Sequence, residues 1–220
     1  MLGLLVLLGI SVFSQQTMIY TNPAAGFKAG LELFQKQKFG SAQKQFLKTT
    51  EYYSSEPNNL LRIDAEYYSA LCALELFNKD AELLLKNFIA EHPESPRTQT
   101  AYFQLGKYNY RKKLYSKALD WFAKVDVYDL NNEELSEFYF KRGYSFFEND
   151  SMAQAKKDFF EIKDIDNKYA APATYYFGHI SYVEKNYQTA LLHFQKLKKN
   201  ESFGSIVPYY IAQIFFLQQK

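Results

Sequence analysis

One spacing of small and aromatic residues recurs along the chain and limits it to a stack of similar units. Gly30 is followed twelve residues later by Ala42, and Phe46 comes four residues after that. The copies with the same spacing are Gly106, Ala118 and Phe122; Gly143, Ala155 and Phe159; Gly178, Ala190 and Phe194; and, with two substitutions, Ser69, Ala81 and Leu85. A sixth copy starts at Ala212. Repetition at a period of 20 to 50 residues is typical of solenoids, propellers and arrays.

Composition favours helices over strands for these units. The 220 residues include 25 Leu but only 6 Val, so β-branched residues for a sheet are scarce. Aromatic residues make up 18%, with 20 Phe and 19 Tyr but one Trp. The periodicity predicts helices at 23–37, 40–53, 59–76, 79–91, 96–111, 115–125, 132–147, 151–163, 169–184, 187–198 and 206–219. The signals for helix starts are Asn22-Pro23, Ser95-Pro96, the capping pair Asn131 and Glu134, and Asp150.

Each copy resembles a tetratricopeptide repeat, a helical hairpin with small residues where its two helices cross. The positions that match that family best are Tyr102, Leu105, Gly106, Tyr115, Ala118 and Phe122. Most copies lack the family's terminal Pro, and the period exceeds the usual 34 residues. The resemblance implies an all-α, right-handed superhelical α-solenoid. Its repeats would span 23–54, 58–94, 95–130, 131–166, 168–200 and, incompletely, 202–220.

The small residues have a packing role in this interpretation. Gly106 and Ala118 would let two helices approach closely, and Phe122, one turn beyond Ala118, would fill the space beside the contact. A single hairpin cannot bury its apolar side, so neighbouring hairpins must stack.

The resemblance also implies that the first helix of each repeat lines a concave groove in which a peptide binds. The groove positions lie three before, one after and four after each small residue, and Arg111 is a further polar member of the stripe. The residues predicted to line it are Phe103, Lys107, Tyr110, Arg111, Phe140, Tyr144, Phe147, Tyr175, His179, Tyr182 and Tyr209. Aromatic anchors suit an extended or helical peptide better than an acidic C-terminus. The alternative for any single ring is that it packs between adjacent repeats.

No constellation of catalytic or metal-ligating residues accompanies this pattern. None of His92, His179 and His193 has another His or Cys three or four residues away, so we expect no metal site, no cofactor and no enzyme activity. A net charge of +2 without a basic stripe argues against nucleic acid as a partner. No small-molecule substrate is expected. The single Cys72 lies in an apolar helical run and predicts a buried, inert thiol.

The N-terminal residues 1–14 are predicted to be a signal peptide, cleaved before Gln15. Leu2 to Phe13 are almost wholly apolar, too few residues to span a bilayer but enough for the core of a secretory signal. Residues 15–22 would form a short N-terminal segment. We therefore expect a non-enzymatic protein- or peptide-binding scaffold in the periplasm or cell envelope. The alternatives are a structural subunit of an envelope assembly or secretion complex, and a cytoplasmic adaptor whose residues 1–14 form a buried helix.

In the last predicted helix, 206–219, residues 206–217 contain one polar side chain besides the Tyr hydroxyls, Gln213, whereas a terminal capping helix should have a polar outer face. We expect either that further repeats follow Lys220 in the natural protein or that this helix is covered by a partner or by a second copy.

Overall fold

A computed structural model describes residues 22–218, and all regular elements within that range are helical. The eleven α-helices there are α1 (Pro23–Gln35), α2 (Phe39–Tyr52), α3 (Leu60–Glu75), α4 (Ala81–Glu91), α5 (Arg97–Arg111), α6 (Tyr115–Phe122), α7 (Asn132–Glu148), α8 (Met152–Ile162), α9 (Ala170–Val183), α10 (Tyr187–Lys196) and α11 (Val207–Gln218). A 3₁₀ turn occupies Val127–Asp129. The predicted signal peptide, 1–14, and residues 15–21 of the segment after it lie outside the described residues.

The helix starts follow the predicted capping signals at two positions. The Asn22 side chain accepts hydrogen bonds from the backbone of Ala24 and Ala25 at the start of α1. Asn131 and Glu134 form the predicted capping box of α7. Such caps satisfy backbone donors that have no partner inside the helix.

Most of the other helix ends differ from the predicted bounds by one to three residues, as three examples show. Asp150 does not start α8: its φ is 56°, in the left-handed region, and the helix begins at Met152. In the Ser95-Pro96 pair, the Ser95 hydroxyl accepts from the backbone of Arg97, so α5 begins one residue later than expected. Helix α6 ends at Phe122, three residues early.

Asp150 belongs to a turn that recurs after five helices and that the sequence analysis missed. In each turn a residue other than Gly has a positive φ; these residues are Gln37, Phe77, Lys113, Asp150 and Lys185. The next residue donates its backbone N–H to a carbonyl five positions back, as Leu114 does to Asn109 at 2.9 Å. This is the Schellman motif, which normally uses Gly at the left-handed position.

The described chain divides into two compact units at Ala81 and Glu82. In the first unit, α1, α2 and α3 pack together around Phe46, which is fully buried, and the Tyr68 ring stacks on Phe46 at 5.4 Å. Cys72 is buried in the same core, and burial raises the pKa of its thiol to about 12. The prediction that this thiol is buried is therefore confirmed, and its raised pKa is what an inert thiol would have.

The second unit is built from the hairpins α5–α6, α7–α8 and α9–α10, with α11 packed on α10. Fully buried aromatic rings, Phe122, Phe159 and Phe194, stand at the centre of successive core clusters.

A buried ion pair ties α7 to α8. The Arg142 guanidinium makes two hydrogen bonds, of 2.8 and 2.7 Å, to the Asp158 carboxylate, which is 2% exposed. The Arg142 guanidinium also lies 4.5 Å from the centre of the Phe138 ring. Breaking such a pair leaves a buried charge without a partner, so the pair fixes this hairpin.

The predicted all-α fold of stacked, tetratricopeptide-like helical hairpins is confirmed. Helix bounds agree with the sequence-based ones to within three residues over the described range. Within residues 22–218, each helix is too short or too polar to cross a membrane.

Candidate partner-binding face

The recurring small and aromatic residues meet inside each hairpin. A Cβ atom added to Gly30 would lie 2.7 Å from the Phe46 ring, one added to Gly106 would come still closer to Phe122, and one added to Gly178 would lie 3.1 Å from Phe194. Residues at the Ala and aromatic positions of the repeat have no exposed surface; they are Ala42, Phe46, Ala81, Leu85, Ala118, Phe122, Ala155, Phe159, Ala190 and Phe194. Ser69, at the small-residue position, is 7% exposed. We call Phe46, Phe122, Phe159 and Phe194 the plug rings.

Phe103 does not line a groove, although the sequence analysis placed it there. It has no exposed surface, and its ring lies 6.3 Å from that of Phe122 and 6.1 Å from that of Phe138. The offset of three residues before Gly106 turns this side chain into the core of the α5–α6 hairpin.

Most of the other predicted aromatic residues lie in a continuous row of half-buried rings that crosses α5, α7, α9 and α11. Ring centres are 5.8 Å apart for Tyr110 and Tyr144, and 5.8 Å apart for Phe147 and His179. Tyr182 and Tyr210 are 5.4 Å apart. We call this row the tyrosine face, and its members are Tyr110, Tyr144, Phe147, Tyr176, His179, Tyr182 and Tyr210.

The rings of the tyrosine face do two things at once. Tyr144 contacts Tyr110 on the preceding first helix and Tyr176 on the following one, so it packs between repeats. Its exposed part remains available to another molecule, because the residue is only half-buried. Packing between adjacent repeats and contact with a bound molecule are therefore compatible for one ring.

Three predicted aromatic groove residues lie beside the tyrosine face rather than in it. Phe140 stacks on Tyr169 at 5.2 Å and belongs to the α7–α9 core. Tyr175 stacks on Phe203 at 4.7 Å, under the start of α11. Tyr209 is 62% exposed and lies on α11.

The sequence analysis missed Tyr176 and Tyr210. Both stand two residues before a small residue, Gly178 or Ala212, and this offset is not among the predicted groove positions. The repeated Tyr-Tyr doublets at 175–176 and 209–210 are the signal that could have found them.

The phenol groups of Tyr110 and Tyr144 stay neutral at physiological pH. Burial raises the pKa of Tyr144, and a hydrogen bond to the Glu148 carboxylate raises it further. Burial likewise raises the pKa of Tyr110, and it raises that of Tyr169 beside the face to about 12. Neutral phenols supply hydrogen bonds and flat apolar area, the properties that enrich Tyr at interfaces.

A short charged network borders the face at α5 and α7. The Lys107 and Lys141 ammonium groups lie 3.0 and 3.1 Å from the two carboxylate oxygens of Glu137. Burial alone would raise the pKa of Glu137, but the two lysines outweigh it and the pKa lies below its ordinary value. Lys141 also lies 4.9 Å from the centre of the Tyr110 ring, and the exposed Arg111 follows Tyr110 in the chain.

His179 is a polar group enclosed by rings. Its Nδ1 atom is buried and has no hydrogen-bond partner among residues 22–218, and the imidazole lies within 6.1 Å of the rings of Phe147, Tyr175 and Tyr210. Burial lowers its pKa, so the ring is neutral at pH 7.

Comparison with solved structures agrees with this architecture. No family model matches the sequence, and no curated protein matches it. The structure is similar to kinesin light chain TPR-like repeats of Podosopora anserina, with a TM-score of 0.59, 8% identity, and coverage of 83% of this chain and 96% of that one.

Two further solved structures have the same fold. MamA has a TM-score of 0.57 at 17% identity, with coverage of 80% of this chain and 96% of that one. PilF of Pseudomonas aeruginosa has a TM-score of 0.57 at 18% identity, with coverage of 89% and 91% respectively. At such identities the likeness concerns the fold, and the chain has the fold of tetratricopeptide-repeat proteins.

Proposed function

We propose that this protein is a non-enzymatic scaffold that binds a peptide segment of a protein partner across the tyrosine face. The observation that carries the proposal is the unbroken row of half-buried rings from Tyr110 to Tyr210. Hairpin packing needs the plug rings, but a half-exposed position would accept polar side chains as well. Rings that stay partly exposed offer large contact area at small entropic cost.

The chemistry of the face narrows the class of peptide. Neutral phenols and a neutral imidazole favour apolar and aromatic side chains together with backbone groups that can hydrogen-bond. The lysines at its border, Lys107 and Lys141, share the single carboxylate of Glu137 and leave an excess of positive charge. A peptide with two or three apolar anchors and an acidic residue near one end fits this arrangement. A carboxylate clamp for an acidic C-terminus is not part of the proposal.

A library of random twelve-residue peptides, displayed on phage and selected on the immobilised full chain, tests this directly. We expect enrichment of peptides with spaced aromatic or aliphatic residues. A parallel selection on the Tyr182→Ala variant should lose those sequences. Failure to enrich any peptide, or enrichment of the same peptides by both proteins, would contradict the proposal.

The proposed location is the bacterial envelope, on the strength of the apolar run Leu2–Phe13 and the small residues before Gln15. Intact mass of the protein isolated from its native cell is the test. A mature N-terminus at Gln15 is expected, and an intact Met1 would favour the cytoplasmic adaptor instead.

A structural subunit of an envelope assembly or secretion complex is the second candidate. The exposed rings of Tyr209 and Phe215 on α11, at 62% and 49% exposure, favour it. Co-purification of a stoichiometric complex from native membranes would support this candidate over a scaffold that binds its partner transiently.

A further inference from the structure

Four tyrosine rings pack together where α5, α6, α7 and α9 meet. The ring centres of Tyr110, Tyr115 and Tyr144 lie 5.7 to 5.9 Å apart, and the rings of each pair are inclined by 68° to 72°. The ring of Tyr176 lies 5.3 Å from that of Tyr144. All four residues are half-buried, so part of each ring is in contact with solvent. We call these four residues the tyrosine cluster; three of them belong to the tyrosine face, and Tyr115 joins them from α6.

Glu148 places a carboxylate beside this cluster. It is the last residue of α7 and lies one helical turn after Tyr144, on the same side of the helix. Its carboxylate accepts a hydrogen bond from the Tyr144 hydroxyl. Burial raises the pKa of the other three phenols, and the negative charge of Glu148 raises it further. All four phenols therefore lie within the electrostatic reach of this one carboxylate.

The two carboxylates on the exposed side of α7 differ in their partners. Glu137, nearer the start of the helix, pairs with both Lys107 and Lys141. Glu148 is exposed and forms no ion pair within residues 22–218. The Lys141 ammonium does lie 4.9 Å from the centre of the Tyr110 ring, but its charge is balanced by Glu137. A positive charge would therefore complement Glu148 and the negative faces of the rings.

The packing of the repeats does not require this set of residues. One repeat later, the positions of Tyr110, Tyr115, Tyr144 and Glu148 are occupied by Phe147, Met152, His179 and Val183. The Phe147 and His179 rings still pack at 5.8 Å. Those four later residues contain no phenol and no carboxylate, so both groups at the earlier junction call for an explanation beyond packing.

We propose that the tyrosine cluster and Glu148 bind the side chain of an arginine in the partner peptide. The inference rests on the proposed function and adds a charged anchor to the apolar ones. A guanidinium is planar, stacks on aromatic rings and donates two parallel hydrogen bonds to a carboxylate. A lysine ammonium carries the same charge without the plane or the paired donors, so we expect it to bind more weakly.

A small probe replaces the unidentified peptide in the test. N-acetyl-L-arginine methylamide presents one guanidinium side chain between two peptide groups. It is titrated into the full chain with ring-¹³C-labelled tyrosine, and the aromatic signals are followed by NMR; four Tyr→Phe variants assign the cluster. We expect saturable shifts of the cluster signals with a dissociation constant of roughly 1–10 mM, the order that one charged anchor on partly exposed rings provides.

Two comparisons of probes isolate the charge. N-acetyl-L-citrulline methylamide has nearly the same shape but no charge, and it should bind at least about fivefold more weakly. An increase in salt from about 50 to about 500 mM should weaken binding of the arginine probe at least about twofold, because the attraction is between exposed charges.

Protein variants locate the site. Glu148→Gln should weaken binding of the arginine probe at least about fivefold, whereas Glu161→Gln, which removes an exposed carboxylate on α8, should change it less than about twofold. Tyr115→Leu keeps an apolar side chain but removes a ring, and it should weaken binding at least about threefold. Tyr115→Phe keeps the ring and should bind within about twofold of the wild type.

The inference would be overturned by an absence of saturable shifts in the cluster, by equal affinity for the arginine and citrulline probes, or by unchanged affinity in Glu148→Gln. These results do not bear on the phage selection, which depends on apolar anchors and on Tyr182. If the arginine probe binds the cluster but the selection enriches no peptide, the cationic site is supported and the peptide-binding proposal fails. The two failures are therefore distinguishable.

Discussion

The plug rings and the tyrosine face use aromatic side chains for different ends. Phe122, Phe159 and Phe194 recur at one repeat position with no exposed surface, and each is Phe. The tyrosine face is half-buried, and most of its rings carry a hydroxyl. A phenol in the dry interior of a hairpin would need a partner that the hairpin does not offer. At the face, water, a ligand or a neighbouring side chain satisfies it, as Gln213 does for Tyr182, which accounts for Phe at the plug positions and mostly Tyr on the face.

The largest expected loss of stability follows from the removal of a plug ring. Phe159→Ala should lower the free energy of unfolding by about 3–5 kcal/mol, because it leaves a cavity beside Gly143 and removes the ring contacts with Phe140 and Tyr176. Urea denaturation followed by circular dichroism measures this. The matched control is Phe160→Ala on the same helix, where the ring is 58% exposed. The expected loss of unfolding free energy in this control is below about 1 kcal/mol. Equal losses in the two variants would contradict the distinction between plug rings and exposed rings.

A smaller loss of stability is expected when a glycine of the repeat is replaced by Ala. Its size should depend on how close the added Cβ comes to the plug ring. Gly106→Ala forces its Cβ into the Phe122 ring and should cost about 1–3 kcal/mol, even after the better helix propensity of Ala. Gly178→Ala, whose Cβ would stand 3.1 Å from Phe194, should lie within about 0.5 kcal/mol of the wild type. Thermal unfolding of both variants provides the comparison. A reversed order would mean that the ring does not set the helix separation.

The charged border of the tyrosine face should contribute about 1 kcal/mol, with a defined pH dependence. Glu137 has a pKa below its ordinary value in the folded chain, so its ion pairs stabilise the fold above the unfolded pKa. That contribution is lost as the pH falls through the lowered folded-state pKa. Glu137→Gln should therefore cost stability at pH 7 but little at pH 3. A cost that is the same at both pH values would contradict this assignment.

The smallest expected change in stability concerns the Schellman turn that recurs after five of the helices. Lys185 holds a positive φ at an exposed position, and Lys185→Gly should raise the free energy of unfolding by about 0.5 kcal/mol. Lys157→Gly, in the exposed middle of α8, should instead lower it by about 1 kcal/mol. Differential scanning calorimetry distinguishes the two signs, and destabilisation by both substitutions would be unexpected.

The helices and the plug rings could be predicted from the sequence because both follow from local periodicity. The Gly-x11-Ala-x3-Phe spacing fixes which side of each helix is buried, whatever the neighbouring repeats contain. The turns escaped prediction because Lys113 and Lys185 carry no sequence mark of a left-handed conformation, which normally favours Gly.

The site was predicted less completely than the fold for a physical reason. Offsets within one helix do not say how far the next repeat rotates, and that rotation decides which rings remain exposed. Phe103 and Tyr175 have the same offset from their small residues, yet one is fully buried and the other half-buried. Tyr176 belongs to the tyrosine face because its ring contacts those of Tyr144 and Phe147. These contacts arise only when α9 packs on α7.

The most direct test of the division between fold and contact is the affinity of one selected peptide for three variants. Tyr144→Ala and Tyr182→Ala should each weaken its binding at least about tenfold, equivalent to about 1.4 kcal/mol, while far-UV circular dichroism still shows a folded helical chain. Phe160→Ala, an exposed ring on α8 outside the face, should leave the affinity within twofold. Unchanged affinity in the two Tyr variants, or a loss in Phe160→Ala alone, would contradict a binding role for the tyrosine face.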